Sequence, residues 1–177
     1  MNLSVIIPTL NEASNIVNTI GTLQRHGGPH ILEILVVDGG STDDTVQLAE
    51  NCGARVLFSK EKSRAAQMNM GAEHSQGDIL YFVHADTIAP QTFAAEIQSA
   101  MTRGVEMGCF RYKFDSSSWL LRINAYFTRF HFLFCQGGDK TFFIRRKLFF
   151  EIGQYDTRYV IMEEYDFLRR AAASLLA

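Results

Sequence analysis

Along the chain, short apolar runs alternate with segments whose apolar residues recur every three or four positions, and turn residues separate the two patterns. Leu3 to Ile7 (LSVII) has the length and composition of a buried strand that ends at Pro8. From Asn11 to Leu23, the spacing of Ile16, Val17, Ile20 and Leu23 puts one apolar face on a helix, which Gly27-Gly28-Pro29 breaks. Ile31 to Val37 (ILEILVV) predicts a second buried strand running into Asp38-Gly39-Gly40-Ser41. A short helix then begins near Thr42, with Asp43 and Asp44 in a first turn that favours negative charge.

The same alternation continues. Ala54 to Phe58 reads as a strand, and Ser63 caps a helix running to about His74. Ile79 to Val83 is a strand, and Pro90 opens a helix reaching about Arg103. Val105 to Phe114 predicts a longer, mixed strand. Thr141 to Ile144 predicts another strand, Lys147 to Ile152 a short helix, and Met162 onward a last helix opened by Glu163 and Glu164. Successive β-α units predict an α/β fold with a mostly parallel, Rossmann-like sheet and helices on both faces. In such sheets ligands bind beyond the carboxyl ends of the strands. Asp38 and Asp86 each stand at such an end, which predicts one shared edge.

Composition narrows the partners. The 177 residues suit one domain, 47% hydrophobic and 20% charged. A net charge of −2 with no long basic run gives no electrostatic basis for a nucleic-acid partner. Cys52, Cys109 and Cys135 are scattered and odd in number, which argues against a disulfide framework or zinc site and fits a cytoplasmic setting. The N-terminus lacks the pattern of a signal peptide. Trp119 to Phe134 (WLLRINAYFTRFHFLF) is too short to span a bilayer and carries Arg122 and Arg129 inside it, so no transmembrane segment is expected. Its mixed aromatics and arginines suit either a helix lying on the inner face of a membrane or a core helix whose arginines snorkel outward. Oligomeric state is not readable from this pattern.

Three acidic clusters offer chemistry. Asp38 is delivered by an apolar strand to a Gly-Gly turn, as a ligand-contacting carboxylate or as a turn residue capping the helix behind it. In His84-Ala85-Asp86-Thr87, residues 84 and 86 would share a side if extended, and an imidazole with a carboxylate there suits Mg²⁺ or Mn²⁺ on a diphosphate. Glu163-Glu164-Tyr165-Asp166 crowds acids at a helix start, where dipole complementarity alone explains them; in a cleft, like charges also raise a pKa toward one useful for proton abstraction. Gln136-Gly137-Gly138-Asp139 allows close backbone approach to a ligand, or is a plain strand-entry turn.

Taken in order, SVIIPTLNEASNI, VVDGGSTDDT, SRAAQMNMGA, GDILYFVHADT and GQYDTRYVIMEEYDFLRR resemble the successive motifs of family 2 glycosyltransferases with the GT-A fold. In particular they resemble bacterial members of the dolichyl-phosphate-mannose-synthase-like branch in which HAD replaces DAD. The resemblance implies an inverting transferase moving a sugar from a nucleotide-diphosphate donor to an acceptor hydroxyl. It divides the chain into a nucleotide-binding half, about 1–104, and an acceptor and catalytic half, about 105–177. It implies that Pro8, Thr9, Asn11 and Glu12 wall the nucleotide pocket, that Asp38 contacts the base, and that Arg64 reaches the base or diphosphate. Asp86 would hold a divalent cation, Mg²⁺ or Mn²⁺, and Glu164 would be the general base. His84 stands where many relatives have an aspartate, as a hydrogen-bond donor or a metal ligand. Asp139 would face a sugar or acceptor hydroxyl. UDP is expected ahead of GDP. The acceptor is not specified, although the aromatic segment suits a lipid-linked one. Family members usually continue past the EEYD helix, so a truncated, catalytically impaired nucleotide-binding module is an alternative. A sugar nucleotidyltransferase is a weaker one, because PTLNEAS lacks a Gly- and Lys-rich phosphate loop. A dehydrogenase is disfavoured by the absence of G-x-G-x-x-G after the first strand.

Overall fold

The computed structural model describes residues 1–110, 141–159 and 163–175. Strands β1 (Leu3–Thr9), β2 (Ile31–Asp38), β3 (Arg55–Phe58), β4 (Ile79–Phe82), β5 (Met107–Cys109) and β6 (Phe142–Arg145) form one sheet in the order β3-β2-β1-β4-β6-β5. β1 pairs parallel with both β2 and β4, and β2 pairs parallel with β3. β6 alone runs against its neighbours β4 and β5. The sheet is therefore mostly parallel, as the alternation of apolar runs and helical segments predicts.

Period-two alternation along the strands sorts the core into two layers. Leu3, Val5 and Ile7 of β1, Ile34 and Val36 of β2, and Tyr81 of β4 face α1 (Ile16–Gly27), α2 (Thr45–Asn51) and α4 (Phe93–Thr102). Ile6, Leu35, Val37, Leu80 and Phe82 face α3 (Arg64–His74), α5 (Arg146–Ile152) and α6 (Glu163–Leu175). Strands covered on both faces are largely apolar, which is why VII and ILVV read as unbroken runs, and the buried Ser4 is paired with Glu33 and the Gly77 N–H. Every residue of β1 is buried, and each large aliphatic side chain so removed from water contributes roughly 1.5–3 kcal/mol. On the second face Phe149, Tyr155 and Phe167 lie with ring centroids 5.0–5.3 Å apart and seat α6 against the sheet.

Element boundaries depart from expectation where loop polar groups find distant partners. β1 continues through Pro8 to Thr9. Its pairing with β4 has ended by Ile6, and Pro8 lies opposite Val37 of β2. The first helix starts at Ile16 rather than Asn11 and runs on to Gly27. Asn11 takes a left-handed φ of 57°, and residues 11–13 donate backbone N–H groups to Ser41, Thr45 and Asp43 instead of opening a helix. The second helix starts at Thr45, because Asp43 receives hydrogen bonds from Thr45 and Ala13 ahead of it. The helix after Pro90 starts at Phe93. Ser63 caps α3 as expected, accepting from the Ala66 N–H at 3.4 Å. Among the described residues no helix is long and apolar enough to cross a membrane. Trp119 to Phe134, Gln136 to Asp139, Cys135 and the latter part of the strand expected up to Phe114 lie outside the described residues.

α3 lies unusually close to the sheet at Gly71. A Cβ built there would stand 2.4 Å from Ile6 Cγ2 and 3.2 Å from Val37 Cγ2. Gly71→Ala should therefore destabilise the fold by about 1–3 kcal/mol through overpacking, despite the better helix propensity of alanine. Urea denaturation checks this; an unchanged or raised midpoint would mean that α3 can lift off the sheet without penalty.

Candidate functional site

The carboxyl ends of β1, β2 and β4 open on one edge, as parallel topology dictates. There a cleft of about 310 Å³ is lined by Pro8, Thr9, Leu10, Glu12, Lys62, Arg64, Gln67, His84, Ala85 and Asp86. Pro8, Thr9, Glu12, Arg64, His84 and Asp86 are the residues that the motifs single out, and the fold brings them together here from three separate segments.

His84 and Asp86 reach the cleft by a turn rather than an extended segment. Thr87 donates its N–H to the carbonyl of His84 at 3.0 Å, so the expected same-side placement of an extended chain does not apply. The turn is tied to α1 by the Thr19 hydroxyl, which donates to the Ala85 carbonyl at 2.5 Å. Asp86 is exposed on the cleft, and among the described residues no hydrogen bond or ion pair uses its carboxylate. His84 Nε2 lies 3.8 Å from Glu164 Oε1, and both side chains are 13% exposed. That distance suits an ion pair when the imidazole is protonated but is too long for a hydrogen bond. It brings Glu164, the first-turn acid of α6, against the HAD turn.

Asp38 and Asn11 stand outside the cleft lining and build the wall behind it. Asp38 is 2% exposed. Its Oδ2 accepts the N–H groups of Gly40 and Ser41 at 2.8 and 2.9 Å, and its Oδ1 accepts the Ser41 hydroxyl. By lone-pair count one acceptor position on Oδ1 remains. Asn11 Oδ1 accepts the Thr42 N–H at 2.8 Å, and the Asn11 N–H donates to the Ser41 hydroxyl at 2.8 Å. The two loops after β1 and β2 are thereby laced together. Asp139 lies outside the described residues.

Two cleft residues escape the motif reading. Lys62, in the KEK run before the cap of α3, adds a second cation beside Arg64. Gln67 is 5% exposed, and its Nε2 donates to the carbonyls of Thr9 and Val37 at 2.8 and 2.7 Å. A polar residue on the otherwise apolar, sheet-facing side of α3, three positions after Arg64, was the available signal. Asn69, on the same helix, grips the backbone of Tyr155 with two hydrogen bonds of 2.8 and 3.0 Å. Burial, and then the charges of Glu164 and Glu163, push the Tyr155 hydroxyl well above its ordinary pKa, while Arg64 draws it back. The phenol therefore stays neutral. Arg170 holds the loop before α6 by donating to the carbonyls of Ile152 and Gln154 and to Asp166, at 2.6–2.8 Å.

Among the described residues no three His, Cys, Asp or Glu side chains converge as a metal cage. A hard cation held by one or two protein groups and a ligand's phosphates needs no such cage. Cations at Lys62 and Arg64, the first turn of a capped helix, and an exposed carboxylate at Asp86 together suit an anionic, metal-bridged ligand.

Comparison with known proteins gives the family and the fold. The model of the family described as glycosyl transferase family 2 matches residues 4–175. The chain is 30% identical over 184 residues to a PGL/p-HBAD biosynthesis glycosyltransferase of Mycobacterium tuberculosis, covering 93% of this chain and 67% of that protein. Its structure is similar to the mannosyltransferase PcManGT from Pyrobaculum calidifontis in complex with GDP-Man and Mn²⁺, with a TM-score of 0.72 at 20% identity over 93% of this chain. It is also similar to glucosyl-3-phosphoglycerate synthase from Mycobacterium tuberculosis in complex with Mn²⁺, UDP and glucosyl-3-phosphoglycerate, with a TM-score of 0.62 at 20% identity over 83%. The chain spans about half the length of these two solved structures, 50% and 57%.

The Gln67 amide holds two strand-end carbonyls, so Gln67→Leu should cost about 1–3 kcal/mol by taking the shorter hydrogen bond from each of these buried acceptors. Chemical denaturation reads this loss. An unchanged midpoint would mean that the Gly39 N–H and Thr9 hydroxyl, which also reach these carbonyls, satisfy them unaided.

Proposed function

The chain belongs to glycosyl transferase family 2, with the GT-A type of fold, and from that premise we propose that it transfers a sugar from a nucleoside-diphosphate donor to an acceptor hydroxyl with inversion. The observation that carries this is the juxtaposition of Glu164 with a cleft that already gathers Arg64, His84 and Asp86. The donor nucleotide would enter against Pro8, Thr9 and Glu12, with the half-exposed Leu10 (43%) as an apolar wall for the base. Asp38 would offer its remaining lone pair to the base, and Asn11 would hold the loop that carries it. Lys62, Arg64 and the first turn of α3 would meet the diphosphate.

A divalent cation, Mg²⁺ or Mn²⁺, would neutralise the charge that develops on the leaving diphosphate. The exposed, unengaged carboxylate of Asp86 fits it, with His84 beside it. Two similar solved structures contain Mn²⁺ with a nucleotide or nucleotide-sugar, and this supports the assignment. UDP is our first choice of donor nucleotide, with GDP the alternative.

In the transfer step, the acceptor oxygen forms a bond to the anomeric carbon as the bond from that carbon to the diphosphate oxygen breaks. The leaving group takes the electron pair, and the acceptor proton passes to Glu164. One displacement from the opposite face inverts the centre. Glu164, next to His84 at the cleft, suits this task; Glu163 is fully buried against Arg64 and does not.

Two substitutions test the assignment. Glu164→Gln should lower transfer by about 10²–10⁴-fold, the usual worth of a positioned base, while nucleotide affinity stays near the parent's. Asp86→Ala should remove the Mn²⁺-dependent part of nucleotide binding. The measurements are calorimetric titration with UDP and GDP, with and without Mn²⁺, and a donor-hydrolysis assay. Binding without hydrolysis would reassign the chain as a nucleotide-binding module, and binding of neither nucleotide would sink the proposal.

A further inference from the structure

The transfer step leaves the first acid of α6 without a task. Glu163 is 0% exposed, and its Oε1 accepts a hydrogen bond from Arg64 Nε, joining the start of α6 to the start of α3. Its Oε2 has no hydrogen-bond partner among the described residues. A carboxylate removed from water is costly, and a single ion pair rarely recovers that cost, so the pair is not explained as a stabilising device.

Its consequence is geometric. Arg64 is the first residue of α3, lines the cleft, and has a side chain 34% exposed. An arginine at a cleft rim ordinarily loses rotamer freedom when an anion arrives, and that loss weakens binding. A guanidinium already gripped at Nε by a rigid, buried carboxylate has lost that freedom beforehand. The carboxylate is itself rigid, since α6 is fixed by Phe167 packed on Phe149 and Tyr155 and by Arg170 on the loop before it.

We propose that Glu163 is a positioning residue for donor recognition, acting through Arg64 to present a pre-ordered guanidinium to the nucleotide diphosphate. This rests on the nucleotide-sugar reading of the cleft. It assigns the two adjacent glutamates different halves of the reaction: Glu163 serves the donor through Arg64, and Glu164 faces the acceptor proton.

The test is a double-mutant cycle on UDP affinity in the presence of Mn²⁺, using Glu163→Met, Arg64→Met and the pair together, with thermal melts to confirm folding. Glu163→Met should weaken UDP binding by about tenfold, equivalent to 1.4 kcal/mol. In the Arg64→Met background it should have no further effect, because its route to the ligand is already gone. With donor hydrolysis as readout, the loss should fall on KM for the donor while kcat at saturation stays near the parent's. Glu163→Asp should restore part of the affinity. A structural role would instead give additive losses and move kcat with KM. Independently of any nucleotide, the Arg64 Nε–H resonance should be shifted and slow to exchange in the parent and collapse to the free-arginine position in Glu163→Met. Affinity within twofold of the parent, additivity in the cycle, or an Nε–H unaffected by Glu163→Met would each overturn the proposal. Failure of the parent itself to bind UDP or GDP would strike the underlying reading and this proposal together.

Discussion

The carbonyls of Thr9 and Val37 sit at the ends of neighbouring parallel strands, where the ladder is running out of donors, and the Gln67 amide of α3 donates to both. A parallel sheet ends this way at every strand: the last acceptors must be paired by a loop, by water or by a side chain. Here one buried side chain fastens two strand ends to each other and to α3. The helix can reach because Gly71, a turn further on, lets it settle onto Ile6 and Val37 without a Cβ between. With that contact made, Arg64 is delivered to the rim of the cleft and Asn69 to the backbone of Tyr155. The position of α3 thus sets the Arg64 side of the cleft and fixes the loop at Tyr155.

The loops around that edge hold one another in turn. Asp38 commits its carboxylate to Gly40 and Ser41, and Asn11 accepts the left-handed conformation needed to bond Ser41 and Thr42. Short polar side chains at the strand ends do what further strand residues would otherwise do. Cleft residues are left whose charges are not consumed by the scaffold, Asp86 and Lys62 among the described ones. A site for an anionic ligand and its cation requires that division between groups that build the wall and groups that remain available.

Much of this was legible in the chain. Apolar runs bounded by turn residues located β1, β2 and β4, because strands buried on both faces leave few polar positions to blur the signal. The placement of Asp38 and Asp86 at strand ends came from topology alone. What the pattern could not deliver was anything decided by distant partners. The helix expected from Asn11 begins at Ile16, since residues 11–13 bond to residues thirty or so positions away, and no local propensity encodes that. Asp38 looked equally like a ligand or a turn residue, and only its hydrogen bonds reveal how fully the turn engages it. Gln67 went unnoticed because a lone glutamine in a helix is ordinary until the strand ends beneath it are known.

The adjacent acids of α6 are the sharpest case of that limit. By local pattern alone Glu163 and Glu164 are interchangeable, a pair of charges complementing a helix start, and only the family resemblance singles out Glu164. On a helix, successive side chains are turned by about 100° from each other, so neighbours in the chain face different surroundings. Which acid faces the cleft is then set by the rotation of α6 about its axis. That rotation is fixed by apolar packing: Phe167 is 1% exposed and lies in contact distance of Phe142, Phe149 and Tyr155. Turning the helix by one residue would carry Phe167 away from its aromatic partners, put Glu163 beside His84, and take the Glu163 carboxylate from Arg64. The chemistry available to Glu164 is thus decided by where a phenylalanine three positions later must be buried.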